Sequence, residues 1–135
     1  MRTKKRILVR AAATAGNVVY SYTVPAGYSL KLAYGHILLT TDATVANRRV
    51  KVGLYDSAGV LITDIHAGAT VPASQTDQHM ELMQGIYRET ALTAGTLQVP
   101  IPRDWQGDPG ETFRITVDAG VAGDSYTAAL SFEQV

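Results

Sequence analysis

Chemistry needs particular side chains within reach of one another, and three groups of residues in this chain are candidates for it. The histidines His36, His66 and His79 fall in three separate alternating segments, none at the close spacing that preorganises a metal site. Strand positions can meet across a sheet, but surface or sheet-satisfied imidazoles are the commoner use of histidine, so no metal is assigned. The second group is the loop Arg103-Asp104-Trp105-Gln106-Gly107-Asp108-Pro109-Gly110-Glu111, which holds three carboxylates and the only Trp. Calcium would need six to eight oxygen ligands, and these acids do not follow the spacing of an EF-hand loop. An exposed Trp105, with Tyr87 as a second aromatic, could instead stack on a sugar ring while Asp104 and Asp108 bond its hydroxyls. The plainer reading has Trp105 covering the end of a core or an interface and Asp108-Pro109-Gly110 making a turn, and it carries the greater weight.

The third group is a cluster of cations: Arg2, Lys4, Lys5, Arg6 and Arg10 lie within the first ten residues, and the first acid is Asp42. Five positive charges near a chain end could bind phosphate. The rest of the chain, however, has seven basic residues against 12 acidic ones, and no aromatic is interleaved with the cluster. Nucleic acid is therefore disfavoured, and an acidic protein surface is the better partner. An equal alternative is an edge strand whose Lys and Arg side chains discourage unwanted sheet pairing. From Asp104 onward six acids face one base, so the two ends carry opposite fields under a formal net charge of zero.

Other chemistry lacks its residues. With no Cys there is no disulfide, thiolate zinc site, iron-sulfur cluster or cysteine nucleophile. No Ser lies in a Gly-x-Ser-x-Gly elbow. Twelve acids always supply imaginable glycosidase pairs, so their presence argues for nothing. We expect no enzyme and no cofactor. The apolar stretch after the first cations, Ile7 to Val9, is too short for an export signal, and nothing is long enough to span a bilayer.

What must position these groups is an all-β scaffold. At 135 residues and 46% hydrophobic content, one core can be built without disulfides or a structural metal. Alternation with period two recurs between Gly, Pro, Asn and Asp punctuation. Asn17 to Val24 sets Val18, Tyr20, Tyr22 and Val24 on one face. Tyr28 to Thr41 carries Leu30, Leu32 and Tyr34 on one parity, then Ile37 and Leu39 on the other, with Gly35 between them as a candidate bulge. Arg48 to Tyr55 and Val60 to His66 read as a hairpin around Asp56-Ser57-Ala58-Gly59. Further strands are expected at Gln78 to Met83, around Leu97, Val99 and Ile101, around Phe113, Ile115 and Val117, and from Ser125 to Glu133. That gives eight strands, or nine if the basic segment pairs as an edge. We expect a two-sheet antiparallel β-sandwich, jelly-roll-like, with a basic N-terminal arm or edge strand over 1–12 and a single sandwich domain over 13–135; a closed barrel has the same strand count.

Several stretches taken in order also carry a resemblance: Tyr22-Thr23-Val24-Pro25-Ala26-Gly27, then Leu39-Thr40-Thr41-Asp42-Ala43-Thr44-Val45-Ala46-Asn47-Arg48-Arg49, then Leu54-Tyr55-Asp56-Ser57-Ala58-Gly59. With Ala73-Ser74-Gln75-Thr76, Pro100-Ile101-Pro102 and Gly123-Asp124-Ser125-Tyr126, the chain resembles small tailed-bacteriophage virion proteins over most of residues 17 to 135. The resemblance implies a β-sandwich module of the phage particle, a capsid decoration (cement) protein bound to the major capsid protein on the capsid surface after synthesis in the host cytoplasm. A tail or fibre-associated role that recognises a host glycan is the alternative it implies. The basic N-terminal segment matches no feature of that family, and we expect it to be the capsid contact. A homotrimer is expected, since linked weak contacts multiply by avidity, although two-fold dimers are the general rule.

Overall fold

The computed structural model describes residues 5–92 and 94–135, so Arg2 and Lys4 of the basic cluster lie outside the described residues. The alternating segments become ten strands: β1 (Arg6–Ala15), β2 (Tyr20–Thr23), β3 (Leu30–Thr40), β4 (Arg49–Tyr55), β5 (Leu61–His66), β6 (Gln78–Met83), β7 (Thr96–Pro100), β8 (Gln106–Gly107), β9 (Thr112–Asp118) and β10 (Ser125–Gln134). There is no helix among the described residues.

The strands form two sheets. The larger runs β1-β10-β3-β6-β7, with β8 paired to the start of β3, and the smaller runs β2-β9-β4-β5. Eight of the strands pair as β1 with β10, β2 with β9, β3 with β6 and β4 with β5, all antiparallel. These are the rungs of one long hairpin, falling alternately in the larger and the smaller sheet, and a hairpin ribbon rolled that way is a jelly roll. The expected sandwich and topology are present. The two further strands are an added edge, β7, and the short β8.

The inner faces follow the sequence parity. Val50, Val52 and Leu54 of β4, Phe113 and Ile115 of β9, and Tyr126, Ala128, Leu130 and Phe132 of β10 are all buried. Across the two sheets Phe113 meets Phe132 with ring centroids 4.9 Å apart, and Tyr22 stacks on Phe132 at 5.3 Å. This aromatic seam joins the two layers.

Three local expectations shift. The bulge in β3 is at Ala33, not Gly35: β10 places Ser131 opposite Tyr34 and the next residue, Phe132, opposite Leu32, so Ala33 is the extra residue and the parity switches there. Gly35 instead points into the core, where a Cβ would stand 2.7 Å from Leu82 Cδ1 and 3.1 Å from Leu130 Cδ2. Strand β2 begins only at Tyr20, because the chain turns after β1 through the Val18 N–H to Ala15 carbonyl bond of 3.0 Å and leaves Val18 and Val19 half exposed. Finally, β7 runs parallel to β6. A parallel neighbour needs a long crossover, and residues 84–95 supply it.

Candidate functional site: a basic edge strand

Among the described residues β1 forms an edge of the larger sheet and pairs with β10 alone, so the basic segment is a sheet strand from Arg6 onward. Ile7, Val9 and Ala11 turn inward against the core, whereas Arg6, Leu8 and Arg10 are exposed. The Gln134 N–H donates to the Lys5 carbonyl at 2.9 Å, which fixes the register of hydrogen bonding. Lys5, Ile7, Val9 and Ala11 therefore aim their backbone groups at β10, and Arg6, Leu8 and Arg10 aim theirs outward with no strand to receive them. The result is a row of open backbone donors and acceptors flanked by guanidinium groups. Beyond Ala11 the register slips by one residue before Thr14, a bulge that ends the regular edge.

Three acids of the C-terminal half are paired with cations elsewhere in the fold, not with those of β1. Asp104 pairs with Lys31 at 3.0 Å, Asp118 with Lys51 at 2.5 Å, and Asp124 with Arg48 at 2.8 Å. The Lys31 ammonium also holds the Asp104 carboxyl below the ordinary aspartate range. Lys5 lies over the Tyr28 ring, 5.6 Å from its centroid. Among the described residues no carboxylate comes within ion-pair distance of Lys5, Arg6 or Arg10.

The loop that joins β7 to β9 behaves differently from its sugar-binding reading. Trp105 is only 4% exposed and packs edge-on against Phe113, centroids 5.4 Å apart, so it has no open ring face on which a sugar could stack. This is the plainer arrangement weighed for the loop, with Trp105 over the end of the core. The reason is that Leu32 N–H donates to the Trp105 carbonyl and β8 pairs with the start of β3, which draws the indole over the end of the core. Asp108 is engaged within the loop, accepting from Ser29 Oγ and Gln106 Nε2, each at 3.0 Å, while its own N–H donates to Glu111 Oε1. Tyr87 remains exposed, far from Trp105 in sequence and without it as a partner.

Two clusters escaped the sequence. The first is a buried ion pair. Arg48 is fully buried, and its Nε and Nη2 donate to Asp124 Oδ2 and Oδ1 at 2.8 and 3.0 Å, with further bonds to Asp42 Oδ1 at 3.0 Å and the Ala46 carbonyl at 2.8 Å. Asp124 also accepts the Asp42 and Val121 backbone N–H groups. Burial pushes the Asp124 carboxyl up, but these donors outweigh it and hold it below the ordinary range. The same bonds to Asp124 drive Arg48 further up. The second cluster is a histidine pair, His36 Nε2 to His79 Nδ1 at 3.0 Å, brought together by the β3–β6 register. Burial, then His79, holds His36 below the ordinary histidine value, with Glu81 pulling the other way. His66 stands apart in β5 of the smaller sheet.

No family model and no curated protein matches the chain. Among solved structures, a chain of the infectious bursal disease virus particle is similar, with a TM-score of 0.50 and 18% identity over 96% of this chain and 31% of that one. A chain of the subviral particle of the same virus gives a TM-score of 0.43 at 15% identity, over 96% of this chain and 32% of that one. Our chain spans about a third of the length of those viral chains. At such identity the likeness is one of fold: the jelly roll seen here is of the kind found in a viral particle.

Proposed function

We propose that this protein is a non-enzymatic structural subunit of a bacteriophage particle that decorates the outer capsid surface, with residues 1 to about 12 as its contact with the major capsid protein. The observation that carries this reading is the open, cationic edge of β1. An extended segment of a partner can add to that edge through the backbone groups of Arg6, Leu8 and Arg10, and acidic side chains on the segment meet Arg6 and Arg10. The likeness to a viral particle chain supports the scaffold, and the phage resemblance of the sequence supports the kind of particle. No enzyme is needed in this reading: Asp42, Asp104, Asp118 and Asp124 are held in ion pairs, and Asp56, Asp108 and Glu111 in loop bonds.

A decoration subunit gains by oligomerising. Three copies held together present three such edges, and once one is bound the others attach at high effective concentration. The reading has two tests on the full chain. Sedimentation equilibrium should show a concentration-dependent oligomer, with the trimer as the expected species. Co-sedimentation with capsids of the phage that encodes the protein should retain the wild type and lose the Arg6→Ser/Arg10→Ser variant. A monomer at every concentration that also leaves those capsids bare sinks the proposal.

A further inference from the structure

The outer face of the larger sheet carries a feature that capsid attachment does not use. Ile37 and Met80 point into the core, so their neighbours His36 and His79 point out of it, on adjacent strands. The register pairs Leu38 with His79 and His36 with Glu81, which makes the two histidines diagonal neighbours on one face. Their rings lie 5.2 Å apart, tilted by 32°, with His36 Nε2 and His79 Nδ1 3.0 Å apart. Two nitrogens this close either share one proton or share one metal ion. With metal–nitrogen bonds of about 2.0–2.1 Å, a separation of 3.0 Å subtends an angle of about 90–97° at the metal.

From this geometry we propose that His36 and His79 form a two-histidine binding site for a divalent transition metal, with Cu(II) and Ni(II) preferred over Zn(II). The preference follows from the angle. Near 90° it suits square-planar and octahedral ions, whereas a tetrahedral ion needs the nitrogens spread further apart, and the general affinity order also places Cu(II) highest. Neutral imidazoles are the ligands. On binding, the proton between the two nitrogens goes to solvent while the other nitrogen of the same ring takes one up, so that ring stays neutral by changing tautomer. Among the described residues no third His, Asp or Glu completes the set, so water fills the remaining positions. Glu81, opposite His36, adds negative charge beside the site. A bound ion ties β3 to β6 across the sheet, so it favours the folded chain.

Isothermal titration of NiCl2, CuCl2 and ZnCl2 into the full chain, with thermal unfolding at each metal concentration, tests the site. One ion per chain is expected, tightest for Cu(II) and with Ni(II) tighter than Zn(II), and Tm should rise with metal concentration. His36→Gln and His79→Gln should each weaken binding by at least about tenfold and abolish the Tm rise, while His66→Gln, in the other sheet, should bind as the wild type does. The proposal is overturned if the wild type binds no Cu(II) or Ni(II). It is equally overturned if the His36→Gln/His79→Gln double variant binds as tightly as the wild type, or if His66→Gln loses binding to the same extent. Neither readout involves capsids or the β1 edge, so this site and the decoration role fail separately.

Discussion

Replacing Asp124 by Asn should come close to unfolding the protein. Each carboxylate oxygen of Asp124 accepts two donors: Oδ1 takes Arg48 Nη2 and the Asp42 N–H, and Oδ2 takes Arg48 Nε and the Val121 N–H. An Asn must turn an NH2 group toward one of these donor pairs, and it leaves the guanidinium of a fully buried Arg48 with Asp42 as its only carboxylate. Breaking one side of a buried pair costs about 3–5 kcal/mol. Domains hold only about 5–15 kcal/mol in all. In a chain of this length that loss lowers Tm by about 10–20 °C. The check is urea unfolding followed by far-UV circular dichroism, for Asp124→Asn, Arg48→Met and the double variant Arg48→Met/Asp124→Leu. The double variant should be more stable than either single one, because it leaves no fully buried charge unpaired; Asp42, which also loses Arg48, is partly exposed to water. The pH dependence has a definite sign. Asp124 is held below its ordinary value of 3.8 in the fold, so its contribution is complete above that pH and fades as pH falls through the folded value. The stability gap between wild type and Asp124→Asn should therefore narrow in acid below about pH 4. Single variants that lose less than about 1 kcal/mol, or a double variant that loses the sum of both, would refute this account of the network.

Other residues give shorter tests. Gly35→Ala should cost about 1–3 kcal/mol in urea unfolding, because its new methyl meets Leu82 and Leu130, which are themselves fully buried; a neutral result would mean that those leucines have room to move. Trp105→Ala should cost about 3–5 kcal/mol as a core truncation, and Trp105 fluorescence in the wild type should shift to longer wavelength only on global unfolding. The Arg6→Ser/Arg10→Ser variant should keep the wild-type Tm, since both side chains are exposed and make no ion pair among the described residues, while losing capsid retention; a large fall in Tm would show that the two arginines are structural.

The sequence showed faces more readily than partners. Alternation placed Phe113 and Ile115, and Tyr126 to Phe132, on the buried side because parity alone decides which side of a pleat a residue takes. Parity also held a sign of the ion pair. Arg48 is in phase with Val50, Val52 and Leu54, the buried face of β4, so a charge was due to enter the core there. Its partner Asp124 lies 76 positions away, and no local pattern reports that pairing. The same holds for His36 and His79: each is out of phase with its apolar neighbours and so faces outward, but only the β3–β6 pairing makes them touch. Gly35 marked the right stretch for the wrong reason. The parity switch is real, yet the extra residue is Ala33, and the glycine is there because two leucines leave no space for a side chain.

Net charge hides the arrangement that matters most for binding. Twelve cations and twelve acids could have cancelled everywhere, leaving a surface with no preference for any partner. Instead the fold uses three acids of the C-terminal half to fasten itself. Asp124 locks the turn before β10 to the loop before β4, Asp104 ties the β7–β8 loop to β3, and Asp118 reaches from the end of β9 to β4. Each of these acids is matched by a cation of the same pair, and only the Asp124 pair is buried, so the pairing leaves the cations of β1 unmatched. The cations of β1 sit beside a C-terminal strand whose nearby acid, Glu133, stands opposite Arg6 in register without closing to an ion pair. A rolled ribbon puts its first and last strands side by side and leaves the first at the margin of the sheet, so the basic segment keeps both its charge and its unused backbone groups. That coupling of topology and charge is why β1, rather than the acid-rich Trp105 loop, is the contact surface we propose.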